Sequence, residues 1–307
     1  PNLPENAARP WVVMKFGGTS VAAPDRWAAI AELARKRLSE GERVFLVHSA
    51  LAGVSNQLER APDDLLEGRG REALDAVETA HRDFCAAAGL DADALLGGAF
   101  ERMRQLAAGV ELLGEASPCI RAELLALGET MANTLGAALL EAEALRPERL
   151  DPREALLARV EARDARDWLD ARIDSAPDPA LQARLSGADL VIAPGFIAAD
   201  ENGATVLLGR GGSDASAAHF AAMLEAERLE IWTDVPGLFS ADPRLTDGAR
   251  LLTALSYDEA QEIATMGGKV LHPRSIGPAR RAGVPILVKD SFRPDLPGTR
   301  ITQAPGD

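Results

Sequence analysis

Cysteine is scarce: Cys85 and Cys119 are the only two in 307 residues, with no CxxC spacing and no histidine cluster beside them. Neither a disulfide framework nor a zinc site is indicated, and a reducing, cytoplasmic setting fits this usage. Positive charge is also short. The 33 Lys and Arg stand against 47 Asp and Glu, a formal net charge of −14 that opposes non-specific binding to nucleic acid or an anionic membrane. Any anionic ligand therefore needs a local cluster of cations. Apolar runs nowhere approach the ~18 residues of a membrane span, and the opening PNLPENAARPW lacks the basic and apolar regions of a signal peptide. A soluble chain, not exported, is expected. Two nucleotide fingerprints are missing as well. There is no GxxxxGK(S/T), and GRGGSD from Gly209 puts Asp214 where GxGxxG needs its last glycine.

The remaining composition, 47% hydrophobic and 26% charged, is that of a globular protein with material for one large α/β domain or two smaller ones. Val12 to Met14 reads as a short buried strand and Lys15 to Ser20 as the loop leaving it. A helix follows, with Pro24 in its first turn, apolar Trp27, Ile30, Ala31, Ala34 and Leu38 at helical spacing, and Gly41 as its stop. RVFLVH, Arg43 to His48, is the next strand, so the three form a βαβ unit with parallel strands. The stretch from Asn56 to Leu185 reads as several helices, and Glu129 sits among apolar helix formers close to the core. Strands return at Ala188 to Phe196. Asn202-Gly203 then predicts a hairpin turn that adds an antiparallel piece to the sheet. GRGGSD leads into an alanine-rich helix, RLEIWTDV is another strand, Ser256 with Glu259 predicts a capping box, and VPILV closes the alternation. The pattern specifies an open, mostly parallel sheet covered by helices on both faces. Ligands bind such sheets beyond the carboxyl ends of the strands, so the loops after Met14, His48, Ala193, Leu208 and Thr233 should converge on one cleft.

Lys15 before Gly17 and Gly18 is a compact charge beside a backbone able to close on phosphate oxygens. Gly209, Gly211 and Gly212 allow backbone N–H groups to approach an anion at a helix N-terminus, with Arg210 offering a bidentate fork. Arg244 and Lys269 add two further cations, giving four on separate strand-end loops. Asp214 and Asp234 suit holding a metal, orienting a lysine, contacting a ribose or capping a turn. Phe239, in a chain with only 4% aromatics, suits stacking on a base or packing in the core. The histidines His48, His81, His219 and His272 show no triad or metal spacing and are read as structural.

KFGGTSV, SALAGVSN, Gly128-Glu129, Gly195-Phe196, GRGGSD, IWTDVPG, DPR, GGKVLHP and PGTRI occur together and in order. From about Val12 to Ile301 the chain resembles the catalytic domain of aspartate kinase, of the amino-acid kinase fold. The resemblance implies a three-layer αβα sandwich over 11–302, with an aspartate-binding lobe at about 11–200 and an ATP-binding lobe at 201–302. Residues 1–10 and 303–307 would be flexible ends. It implies that Lys15 and Asp214 are catalytic and that Ser55, Glu129, Phe196, Arg210 and Ser213 bind aspartate. Lys15, Phe16, Gly17, Gly18, Ser20, Gly211, Gly212, Thr233, Asp234, Phe239, Arg244, Lys269 and Val270 would bind ATP. Magnesium would enter through the nucleotide phosphates with no direct protein ligand. The implied reaction is phosphorylation of the L-aspartate side-chain carboxylate, the first step toward lysine, threonine and methionine. Three departures stand out: Ser55 where Thr is usual, Phe239 where Tyr is usual, and TVLLG without the adjacent threonines of many relatives. The regulatory ACT domains common in this family are not among the motifs. A unit without them is similar to the kinase half of proteins fused to diaminopimelate decarboxylase, and the resemblance also suggests a homodimer.

Overall fold

β1 (Trp11–Phe16) is buried along almost its whole length in the computed structural model, which describes residues 9–159, 164–246, 248–267 and 270–304. A strand with no polar side to expose belongs in the middle of a parallel sheet. Pro24 opens α1 (Pro24–Ser39), and Gly41, at φ +86°, lets the chain reverse into β2 (Arg43–His48). Four long helices follow: α2 (Val54–Leu66), α3 (Arg71–Ala88), α4 (Ala92–Leu113) and α5 (Pro118–Ala142). Asp91 and Ser117 cap the last two by accepting backbone N–H bonds. The chain continues through β3 (Glu148–Arg149), α6 (Ala165–Leu169), α7 (Pro179–Arg184) and β4 (Leu190–Pro194). Next come β5 (Ile197–Ala199), β6 (Thr205–Leu207), α8 (Gly212–Met223) and β7 (Arg228–Thr233). The end comprises β8 (Ala254–Ser256), α9 (Tyr257–Thr265), α10 (Pro273–Ala282), β9 (Ile286–Asp290) and β10 (Thr299–Thr302). The capping box expected at Ser256 and Glu259 opens α9.

The main sheet has the order β3-β4-β2-β1-β7-β9-β10-β8, and only β9 with β10 pairs antiparallel. Residues alternate faces along each strand. Trp11 and Val13 therefore join Phe45, Val191, Phe220 and Ile231 in the layer under α8, α9 and α10, while Val12, Met14 and Phe16 join Leu46, Ile192 and Trp232 under α1 to α5. Each fully buried side chain of this kind contributes roughly 1.5–3 kcal/mol. Lys15 falls on the first of these faces, toward α8. Among the described residues no helix is long and apolar enough to cross a membrane.

The structure differs from the sequence reading in three places. Lys15 lies inside β1, paired with Val47 and Ile231, and not in the loop after it. The β5-β6 hairpin, with Gly203 at φ +79°, forms its own two-stranded sheet and does not extend the main one. Its apolar side chains Ile197 and Leu207 are covered instead by Ala122 and Ala126 of α5. Finally, VPILV does not close the alternation, because β10 returns beside β9 and pairs in parallel with β8.

Candidate active site

Lys15 and Asp214 meet where β1 runs under the first turn of α8. Nζ lies 2.5 Å from Oδ1, and each side chain is 12% exposed. The alternation of β1 aims the lysine at this helix, and an aspartate in a first turn is favoured by the helix dipole. The surrounding backbone is packed without room for side chains. A Cβ on Gly195 would stand 2.6 Å from Ser213 Cβ, and one on Gly212 would strike the Phe196 ring. Phe196 itself adopts φ +70°, uncommon for a residue with a side chain. Two bonds hold it there: its N–H donates to Ser216 Oγ at 2.9 Å, and its carbonyl accepts from the Leu208 N–H at 2.9 Å. Gly211, at φ +69°, lies against the His272 ring, so His272 belongs to the wall of the GRGG loop. It also has the structural part expected of it, capping α10 by accepting the Arg274 N–H at 3.3 Å.

Glu129 approaches from α5 and is only 3% exposed. The Ala50 N–H donates to it, while Oε2 has no hydrogen-bond partner. Burial pushes its pKa up to about 8, against the opposing pull of the Ala50 bond and the Lys15 charge. A carboxyl group waits here with one oxygen free, within the field of Lys15. The loop carrying Ala50 is clamped on its other side, since a Cβ on Gly18 would meet the Ala50 carbonyl at 3.0 Å. Ser55 follows in the first turn of α2 and is half-buried. Arg210 is exposed, with no ion pair among the described residues.

Beyond β7 the candidate residues are looser. Thr233 ends the strand, half-buried, and donates to the exposed Asp234 at 3.2 Å. Phe239 is half-buried and bridges to Leu251. The Arg244 side chain is 77% exposed and pairs with Asp242 at 2.9 Å. Val270 packs partly buried against the core, and Lys269 lies outside the described residues. Phe16 points away from Lys15 and stacks on Trp232 at 6.0 Å, so its side chain belongs to the core. Gly17 stays near the cation: a Cβ there would lie 3.7 Å from Lys15 Nζ.

Ser291 was not foreseen. Its hydroxyl donates to the Thr233 carbonyl at 2.9 Å, so the 3.0 Å contact with Ser20 Oγ requires Ser20 to donate. This chain of hydroxyls ties the loops after β1, β7 and β9 together. Its position immediately after β9 was the available signal, by the strand-end rule already applied to the other loops.

The amino acid kinase family profile matches residues 10–290, nearly the whole span of the sheet. The chain belongs to the amino acid kinase family. It is 35% identical over 303 residues to the lysine-sensitive aspartokinase 3 of Escherichia coli, covering 94% of this chain and 64% of that protein. It is 34% identical to a bifunctional aspartokinase/homoserine dehydrogenase of Haemophilus influenzae, with 94% of this chain covered but 36% of the relative. The crystal structure of E. coli aspartokinase III in complex with aspartate and ADP superposes with a TM-score of 0.80 at 33% identity, over 95% of this chain and 64% of that one. The chain thus spans less than two thirds of these relatives. In this member of the family the largely buried Lys15 rises from inside the central strand, whereas in a Walker-type loop the lysine would follow a run of glycines.

Proposed function

We propose that this amino acid kinase transfers the γ-phosphoryl group of ATP to the side-chain carboxylate of L-aspartate, giving 4-phospho-L-aspartate and ADP. The observation that carries the reading is the Lys15–Asp214 pair at 2.5 Å, with buried Glu129 in the field of the lysine. The aspartokinase relatives, and the aspartate and ADP held by one of them, support the choice of substrates.

The acceptor carboxylate, with an ordinary pKa near 4, is already an ionised nucleophile at neutral pH, so the reaction needs no general base. Its oxygen forms a bond to the γ-phosphorus as the bond to the ADP oxygen breaks, and the electron pair leaves with ADP. What the residues supply is alignment and relief of repulsion between two anions. Lys15 exchanges part of its contact with Asp214 for the oxygens of the transferred group, and Asp214 keeps the ammonium aimed. Glu129, once ionised, receives the substrate ammonium, and Arg210 clamps the α-carboxylate from the open side. Ser55, Phe196 and Ser213 shape the acceptor pocket. Gly17, Gly18, Ser20, Gly211, Gly212, Thr233, Asp234, Phe239, Arg244, Lys269 and Val270 serve the nucleotide. Around Lys15 the nearest carboxylate is already engaged by the ammonium, which suits a magnesium ion carried on the nucleotide phosphates. That ion supplies further neutralisation of phosphate charge.

The same reading divides the chain into an acceptor lobe at about 11–200 and a nucleotide lobe at 201–302, in a cytoplasmic homodimer that in a longer protein is joined to a second enzyme. The test is ADP release from MgATP with L-aspartate, N-acetyl-L-glutamate or L-glutamate, with hydroxylamine present to trap an acyl phosphate. Aspartate-dependent hydroxamate is expected. Hydroxamate from glutamate or its acetyl derivative alone would reassign the acceptor, and nucleotide binding without turnover would replace catalysis by sensing.

A further inference from the structure

A cleft of about 1050 Å³ lies behind the GRGG loop, between α8, α10 and the segment around α6. It is separate from the Lys15 site. Its α8 lining, Ala215 and His219, comes one and five residues after Asp214, so these side chains project about 100° and 140° away around the helix.

The charges facing this cleft do not cancel. Of its carboxylates, Asp164 is occupied in capping α6, and Asp170 holds Arg274 at 2.6 Å. Asp167 also has a partner. That leaves Asp174 against Arg159, Arg166, Arg172 and Arg281, none of which makes an ion pair among the described residues. In a chain of net charge −14, such a surplus of unpaired guanidinium groups around one concavity calls for a compensating anion. His219 supplies the second observation. It is 7% exposed, lines the cleft, and its Nδ1 is buried with no hydrogen-bond partner. Such an atom is costly to leave unsatisfied, and it lies on a residue of the cleft wall.

We propose that this cleft is a second ligand site that takes a small polyanion bearing clustered phosphate or carboxylate groups. Guanidinium forks bind either group bidentately, and the volume suits a molecule of metabolite size. The wall of the site is shared with the substrate loop, because Arg274 also donates to the Leu208 carbonyl and a Cβ on Gly209 would strike Asp170.

The experiment titrates pyrophosphate, and separately citrate, into the full chain by calorimetry while the imidazole resonances of His219 are followed by NMR. Saturable single-site binding that shifts His219 is expected, tighter for pyrophosphate if the natural groups are phosphates and for citrate if they are carboxylates. The double variant Arg172→Ala/Arg281→Ala, altered only at exposed positions, should bind at least about tenfold more weakly, and Lys15→Met should bind as before. No saturable binding through the millimolar range would overturn the proposal. So would binding that Lys15→Met abolishes and the double variant keeps, which would assign the anion to the nucleotide site.

Discussion

On one side of β1, around Glu129, Phe196 and Ser213, the backbone packs closely, Glu129 and Ser213 are buried and Phe196 is half-buried. On the other side, past Thr233, Asp234 is exposed and the Arg244 side chain is 77% exposed. Leu245 and Met266 also stand out in solvent, at 85% and 81% exposure. A small acceptor can be selected only by a pocket whose walls do not give, while a large triphosphate can be held from an open side by charge. On the proposed reading, precision of alignment is built into the side that would hold the acceptor, where an ångström matters most.

Removing the cation between the halves should have the largest effect. Lys15→Met is expected to lower kcat by about a hundredfold to a thousandfold while ADP affinity falls much less; equal losses in rate and affinity would make Lys15 a binding residue only. Next comes Glu129. Its pKa of about 8 exceeds the ordinary 4.5, so the folded chain retains a proton that the unfolded chain has released. Stability should therefore fall as pH rises between those values, and Glu129→Gln should flatten that slope in urea denaturation. Aspartate binding should release a proton, seen as a buffer-dependent calorimetric heat that is absent in Glu129→Gln.

The packing contrast itself is tested by two glycines. Gly195→Ala should cost about 1–3 kcal/mol by chemical denaturation, because Ser213 occupies the space of the new methyl. Gly248→Ala, where the nearest atom is Thr246 Oγ1 at 3.7 Å, should stay within about 0.5 kcal/mol of the parent. An equal cost at both positions would erase the distinction. The smallest effect is expected from Arg244→Ala. Its pair with Asp242 is exposed and screened by water, so stability should hardly move while the KM for ATP rises severalfold.

What was legible in the sequence was mostly local. β2 falls on Arg43–His48 as expected, and the Ser256 capping box forms, because both follow from neighbouring residues. Glu129 was rightly placed near the core from its apolar company. The short strands β8 and β10 escaped notice as partners, since three or four residues carry too little alternation to reveal pairing. The Lys15–Asp214 contact and the hydroxyl chain through Ser291 join residues far apart in sequence, so no local pattern encodes them. His272 looked inert for the same reason: only the folded chain brings it against Gly211.

The central position of β1 also bears on how the protein is made. β1 leaves the ribosome ahead of both its neighbours, and β2 soon covers one of its edges. Its other neighbour, β7, follows only after about two hundred further residues, which gives the pairing a high contact order. Until Arg228 to Thr233 emerge, a nascent chain carries an apolar strand with one unsatisfied edge, open to pairing with another copy. The strand that brings Lys15 to the centre of the molecule is thus also the one whose exposure during synthesis most needs to be brief or guarded.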